Sequence, residues 1–145
     1  MPYEVPGENL LDQQPDVAVG ISLPLNTDGD FGATYTTVQQ AHSNLINLLM
    51  TIKGERPMQP EFGTDLHKLL FEPNTQELRP RIEHTIKDAV KTWLPYINIV
   101  MIEITTKIDL YQVFIKITYQ VNPSQQQDIV EIGANLATGG LAPAY

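Results

Sequence analysis

The sequence contains no cysteine, so it has neither a disulfide framework nor a thiolate nucleophile, and its stability must come from packing. No apolar run approaches the roughly 20 residues that a membrane-spanning helix requires. The first residues, Met1-Pro2-Tyr3-Glu4, lack the basic and apolar segments of a signal peptide. These absences predict a protein that is made in a cytoplasm and has no membrane partner.

Basic residues are also scarce. Nine Lys and Arg stand against seventeen Asp and Glu, which gives a formal net charge of -8. Proteins that bind a phosphate backbone need clustered positive charge, so the composition argues against a nucleic-acid partner. A length of 145 residues with 42% apolar content predicts one domain with a single core and flexible ends.

The start of the chain is distinguished by its proline and glycine residues. Residues 1–16 read as an extended N-terminal arm, because prolines and polar residues dominate them. Residues 17–25 alternate apolar and small or polar side chains, which predicts a half-buried strand. Pro24 cannot donate to a ladder, so it favours the edge of a sheet or the end of the strand.

Three segments have helical periodicity. Thr37 and Gln40 form a capping-box pattern, and the apolar spacing that follows predicts a helix over residues 38–53. Thr64 is placed to cap a second, short helix. A third apolar stripe continues to Trp93 and predicts a longer helix.

The second half of the chain favours strands. Residues 97–106 and 110–121 are rich in β-branched residues and read as an antiparallel hairpin. Residues 122–145 shift to Gln, Ala and Gly and are predicted to be a flexible C-terminal arm outside the core. The prediction is an α+β fold over residues 17–121, in which an antiparallel sheet of about three strands packs against three helices. Such a sheet has two edges, and at least one is predicted to be open to a strand from another chain.

The most informative segment is GERPMQPEFG at residues 54–63, between the first two helices. Its two prolines restrict φ, and its two glycines allow backbone angles that other residues avoid. The pattern predicts a stiff loop that presents Arg56 and Glu61 in defined directions. Loops of this kind often serve a binding site.

Residues 48–63, LLMTIKGERPMQPEFG, resemble the signature of the small baseplate wedge proteins of contractile phage tails, which are often described as lysozyme-like. GISLPL at 20–25, LLFEP at 69–73 and WLP at 93–95 agree with the same family in the expected order. The resemblance covers roughly residues 17–121. It extends to related subunits of type VI secretion baseplates and phage-derived injection machines.

The resemblance implies a structural protein of the virion tail baseplate, present in multiple copies, that seeds polymerisation of the contractile sheath by β-strand exchange. The implied partners are other baseplate wedge proteins and sheath subunits, with the tail tube as a further candidate. In this family the triplet that corresponds to Glu55, Arg56 and Pro57 is associated with docking on neighbouring wedge proteins.

Two alternatives remain open. In the first, Arg56 has a structural role within its own chain, where it pairs with Glu55 or Glu61 or caps the preceding helix. This role is compatible with docking. The lysozyme-like label raises a muramidase reading, in which two carboxylates of Glu55, Glu61, Asp65 and Glu72 face each other across a cleft. The short loop and helix leave little chain for such a cleft.

No cofactor or metal is predicted. His42, His67 and His84 are far apart in sequence and have no ligand pattern beside them, so each is expected on a surface or a helix face. No nucleophile set or phosphate-binding glycine motif is present in the sequence. No catalytic residue is therefore predicted.

Overall fold

The computed structural model describes residues 12, 14, 16–23, 25, 31–72, 77–107, 110, 112–122, 124–135 and 140–143. The strands β3 Ile97–Lys107, β4 Gln112–Val121, β5 Gln126–Asn135 and β6 Gly140–Pro143 form an antiparallel sheet in sequence order. The strands β1 Gly20–Ile21 and β2 Ala33–Thr34 form a separate two-stranded ribbon. The predicted α+β class is confirmed, but the main sheet has four strands instead of three. No helix in these ranges is long and apolar enough to cross a membrane. The helices lie between β2 and β3 in the chain and are α1 Thr37–Met50, α2 Leu66–Leu70 and α3 Leu78–Trp93.

Helix α1 begins at Thr37, the residue predicted to be its cap, and is therefore one residue longer at this end than predicted. Thr36 is the N-cap, and its hydroxyl accepts a 3.2 Å hydrogen bond from the amide of Gln39. Thr37 lies inside the helix, where its hydroxyl and amide both donate to the carboxylate of Asp12. The helix ends at Met50, before Gly54, because Thr51 adopts an extended backbone and turns its hydroxyl onto the carbonyl of Asn47.

The other two helices follow the predicted apolar stripes. In α2 the three leucines are buried, and in α3 the buried positions recur at three- and four-residue steps. Pro80 lies in the first turn of α3, where the backbone amides have no partner within the helix and its missing N–H costs nothing. The buried residues of α3 are Leu78, Ile82, Ile86, Ala89 and Val90.

Strand β4 forms the centre of the core. Its burial alternates along the whole strand, so one face packs inward and the other does not. The pairing of β3 with β4 confirms the predicted hairpin. Side chains of all three helices and of β3, β4 and β5 join one core cluster. The inward residues of β4 are Val113, Ile115, Ile117, Tyr119 and Val121.

The predicted C-terminal arm over residues 122–145 is wrong. Strand β5 pairs with β4 along its full length, and Val130, Ile132 and Ala134 are buried in the core. These three residues alternate with Glu131 and Gly133, so a small apolar set at period two is enough to cover the inner face. Low apolar content over the segment as a whole concealed this alternation.

The predicted strand over residues 17–25 is also corrected. Of the described residues in this segment, Gly20–Ile21 form a strand that pairs with Ala33–Thr34, and this ribbon is not part of the main sheet. The side chains of Val17, Ile21 and Leu25 are about half exposed, whereas the alternation predicted burial. The third position beside the hairpin is taken by β5. Most of the predicted N-terminal arm, residues 1–16, lies outside the described residues.

Candidate docking loop and sheet edge

The loop between α1 and α2 has a fixed, closed shape. Its two glycines have left-handed backbones, with φ of 92° at Gly54 and 116° at Gly63. A Cβ at Gly63 would lie 2.4 Å from the carbonyl oxygen of Thr51, so only glycine fits there. Gly54 donates its amide to the carbonyl of Pro60 at 2.8 Å, and Thr64 donates its amide to Thr51 at 2.9 Å. These bonds hold both ends of the loop together.

Arg56 is half-buried and contacts its own chain. Its Nη2 donates a 3.0 Å hydrogen bond to Oδ1 of Asn47 in the last turns of α1. Its guanidinium carbon lies 4.1 Å from the ring centroid of Phe62, and that ring meets Trp93 edge to face at 5.2 Å. Arg56 is therefore braced within the molecule, through an amide and an aromatic ring instead of the carboxylates considered from the sequence. Phe62 and Trp93 are partly buried against the core.

The other two residues of the triplet lie on the surface of the same loop. Glu55 is exposed, and its carboxylate accepts a 3.1 Å bond from the amide of Ile52. Pro57 is exposed, and the side chain of Met58 next to it is 94% exposed. The structure thus brings Glu55, Arg56 and Pro57 to one rigid loop, and their role in docking stays a prediction.

Two of the four carboxylates of the muramidase alternative, Asp65 and Glu72, are paired with cations. Asp65 Oδ1 accepts a 2.9 Å bond from Lys68, and Glu72 is paired with both terminal nitrogens of Arg81. The hydrogen bond from Lys68, together with the charges of Lys68 and Lys53, lowers the pKa of Asp65 although partial burial raises it. A glycosidase acid needs the opposite shift, a raised pKa.

The three histidines lie apart on the structure. His84 in α3 forms an exposed pair with Asp88, and His67 packs on the ring of Phe71. His42 in α1 contacts Asp128 in β5, with 2.9 Å between Nδ1 and Oδ2. Within the described ranges, no group of three or more His, Cys, Asp or Glu side chains is placed to hold a metal ion.

The contact of His42 belongs to a polar cluster that the sequence did not reveal. Tyr119 donates its hydroxyl to Asp128 Oδ2 at 2.9 Å, and the amide of Ile129 donates to Oδ1 at 2.8 Å. Burial raises the pKa of Asp128, but the bonds from Ile129, His42 and Tyr119 outweigh it, and the net pKa is lowered. Burial is the main cause that raises the pKa of Tyr119, and the neighbouring charge of Asp128 adds to it.

The cluster lies beside a groove with a volume of about 870 Å³. The groove runs between the ribbon, the first turns of α1 and the start of β5. Its lining includes Tyr35, Gln39 and Ser43 as well as His42 and Asp128. Polar and apolar groups are mixed along it, and among the residues that the structure describes Asp128 is the one acidic side chain in its lining.

Strand β3 forms one margin of the main sheet. Among the described residues β4 is its only strand partner. Val100 is an extra residue that forms a β-bulge, because Ile99 pairs with Tyr119 whereas Met101 pairs with Thr118. The bulge keeps Ile102 and Ile104 on the inner face, where both are only half-buried. The opposite margin is β6, which has four residues and ends in Pro143.

Comparison with known proteins matches this architecture. The profile of the family described as baseplate wedge protein gp25 matches residues 37–126. The chain is 34% identical to the baseplate wedge protein gp25 of Enterobacteria phage T4 over 98 residues, which make up 66% of this chain and 72% of that protein.

Two solved structures are similar in fold. A protein of Geobacter sulfurreducens described as a tail lysozyme superposes with a TM-score of 0.61 at 22% identity, over 76% of this chain and 91% of the other. A chain of the anti-feeding prophage baseplate superposes with a TM-score of 0.52 at 19% identity, over 79% and 82% of the two chains. At these identities the likeness concerns the fold alone.

Proposed function

Because this chain belongs to the baseplate wedge protein gp25 family and is a structural protein of a contractile-tail baseplate, we propose that it docks on neighbouring wedge proteins and seeds the sheath. The seeding step is the exchange of β-strands with the first sheath subunits. Several copies act together in the assembled baseplate, and the protein catalyses no reaction.

The observation that supports strand exchange is the margin of β3. An edge strand presents a row of backbone N–H and C=O groups that a strand from another chain can pair with. β3 is eleven residues long, whereas typical strands have about five or six. The margin is therefore long enough to receive a complete strand.

The side chains of β3 favour the part of the strand after the bulge as the binding site for an incoming strand. Residues 101–107 pair regularly with β4, and Ile102 and Ile104 leave part of their surface uncovered on the inner face. An incoming strand with apolar residues on that face would complete their burial, at about 25 cal/mol per Å² of apolar surface. The β6 margin offers less, because it is short and a proline cannot donate to a ladder.

The docking step is assigned to the loop that carries Glu55, Arg56 and Pro57. The loop is closed by backbone hydrogen bonds, so binding would order few additional residues. The site disfavours the muramidase alternative, because two of its four carboxylates, Asp65 and Glu72, are paired with Lys68 and Arg81.

Amide hydrogen exchange of the full chain, alone and with the sheath subunit of the same tail, tests strand exchange. We expect the fast-exchanging amides within residues 101–107 to become protected on binding, since new ladder bonds shield them. Protection absent from β3 in the complex would contradict the assignment of this margin.

A pair of variants tests the same assignment of the β3 margin through the affinity for the sheath subunit. Ile104→Lys places a charge on the inner face at the edge, and we expect it to raise the Kd for the sheath subunit at least about tenfold. Thr105→Lys adds the same charge on the outer face of the same strand and is expected to bind like the wild type. Circular dichroism of both variants is the check that they are folded. Equal binding by both variants and the wild type would exclude the β3 margin.

Docking is tested separately by Arg56→Ala and co-production with the other wedge proteins of the same tail. We expect the Kd for these partners to rise at least about 30-fold, as is typical of an interface arginine that dominates binding. Arg79→Ala, on the exposed face of α3, is the matched control. Unchanged binding by Arg56→Ala would remove the loop from the interface.

A further inference from the structure

We propose that Arg56 is a receptor for a carboxylate on the neighbouring wedge protein, and that Asn47 and Phe62 position its guanidinium for this contact. The inference rests on the proposed docking function and specifies the chemistry of the partner.

Arg56 has an unusual electrostatic position among the nine basic residues of the chain. It is the one Lys or Arg that is half-buried and takes part in no ion pair of the described residues. Lys116 is similarly buried and pairs with Glu131, while the basic residues without a carboxylate, Arg79, Lys91 and Lys107, are exposed. In a chain of net charge -8, an unpaired cation at this depth is unexpected unless a partner supplies the anion.

Acidic side chains next to Arg56 in sequence do not serve as its partner. Glu55 folds back so that its carboxylate accepts the amide of Ile52. Glu61 is exposed and takes part in no ion pair of the described residues. The left-handed turn at Gly54 and the backbone bond between Gly54 and Pro60 fix this arrangement. The loop therefore keeps the guanidinium free of ion pairs with the carboxylates that the structure describes.

The contacts that Arg56 does make orient it without neutralising it. The Oδ1 atom of Asn47 accepts from one terminal nitrogen, and the ring of Phe62 lies under the guanidinium plane. Trp93 supports that ring from its edge. Other N–H groups of the guanidinium remain for a partner, and a planar fork held in place loses little further freedom on binding.

Charge decides the kind of partner. Closing an interface over Arg56 removes a charged group from water, which is costly unless an opposite charge compensates it. A carboxylate provides that charge and matches the fork with paired hydrogen bonds. Neutral backbone carbonyls would leave the charge uncompensated.

The sharpest test is Asn47→Asp, which is nearly isosteric and places a carboxylate of the chain itself where Asn47 Oδ1 now accepts from Arg56. The internal ion pair competes with the partner, so we expect the Kd for the co-produced wedge proteins to rise at least about tenfold. The thermal stability of the variant is expected to equal or exceed that of the wild type, which a loss of folding would not produce.

Two controls accompany this variant. Asn122→Asp makes the same charge change at an exposed residue and is expected to leave binding unchanged. Arg56→Lys retains the charge but loses the planar fork, and it is expected to bind about tenfold more weakly. Binding by the wild type is expected to weaken as salt increases, and binding by Arg56→Ala much less so.

The outcomes separate the two proposals. Suppose that Arg56→Ala binds weakly while Asn47→Asp binds like the wild type and salt has no effect. The docking proposal is then retained, and the proposal that the partner supplies a carboxylate is contradicted. If Arg56→Ala itself binds like the wild type, the docking proposal falls. If Asn47→Asp does not fold, Arg56→Lys and the salt dependence decide by the same criteria.

Discussion

Tyr119 and Asp128 are direct cross-strand partners on the core-facing side of β4 and β5, and the tyrosine hydroxyl donates to the carboxylate at 2.9 Å. Tyr119 is fully buried, whereas Asp128 reaches the surface beside His42. The pair carries a polar contact from the centre of the sheet to helix α1, and it links the correctly predicted hairpin to the strand that the sequence analysis missed.

Removal of the tyrosine hydroxyl tests how much this contact contributes to the free energy of unfolding. Tyr119→Phe keeps the ring and deletes the donor, so we expect a loss of about 1.5 kcal/mol in the free energy of unfolding, the usual value for a hydrogen bond to a charged group. Urea denaturation at neutral pH measures it. A variant as stable as the wild type would show that Ile129 and His42 satisfy Asp128 unaided.

The same pair predicts a loss of stability at alkaline pH. The pKa of Tyr119 is raised above its ordinary value of 10.0, so its contribution is complete below pH 10.0 and is lost as the pH rises further, where the unfolded chain ionises first. We expect the difference in stability between the wild type and Tyr119→Phe to shrink above this pH. A constant difference would contradict the shift.

Asp128 predicts the opposite behaviour in acid. Its pKa is lowered below the ordinary 3.8, so its contribution is present above that value and is lost as the pH falls through it. Asp128→Asn is expected to be less stable than the wild type near neutral pH and to lose less stability between about pH 5 and pH 3. Parallel pH profiles of the two proteins would count against this prediction.

The two loop glycines provide a matched pair. Gly63→Ala is expected to cost about 2–4 kcal/mol, because a positive φ is combined with a contact to the backbone of Thr51. Gly54→Ala meets no atom within 4 Å and is expected to cost about 1 kcal/mol from backbone strain alone. Thermal unfolding compares the two. Equal losses would mean that the loop relaxes around the new methyl group.

Strand β5 gives the most direct test of the corrected fold. Ile132→Ala removes a fully buried side chain and is expected to cost about 3 kcal/mol. Ile129→Ala, on the outer face of the same strand and 45% exposed, is expected to cost about 0.5 kcal/mol or less. Chemical denaturation distinguishes a core strand from an arm, since in an arm neither substitution would matter.

Regular periodicity accounts for what the sequence predicted. The stripes of α2 and α3 and the alternation of β4 are dense in apolar residues, so burial follows directly from spacing. Strand β5 was not predicted, because its buried residues Val130, Ile132 and Ala134 are few and lie in a segment rich in glutamine and glycine. Its inner face is completed by residues of β4 and α1, and this tertiary context is absent from a local pattern.

The features of the candidate site also differ in how far the sequence alone predicts them. The stiff loop was predictable, because prolines and glycines restrict the backbone locally. The partner of Arg56 was not, since Asn47 is nine residues away and reaches it only after the loop folds back. His42 and Asp128 are 86 residues apart, and only the packing of α1 on the sheet brings them together.

The irregular step at Val100 has a consequence for free subunits before assembly. An uninterrupted outer strand of eleven residues would invite identical chains to stack side by side, which is how soluble proteins begin to form fibrils. The additional residue twists the strand at that point and shortens the straight portion. We therefore expect the bulge to limit self-association of unassembled molecules, while the straight portion stays available for the strand exchange that we propose.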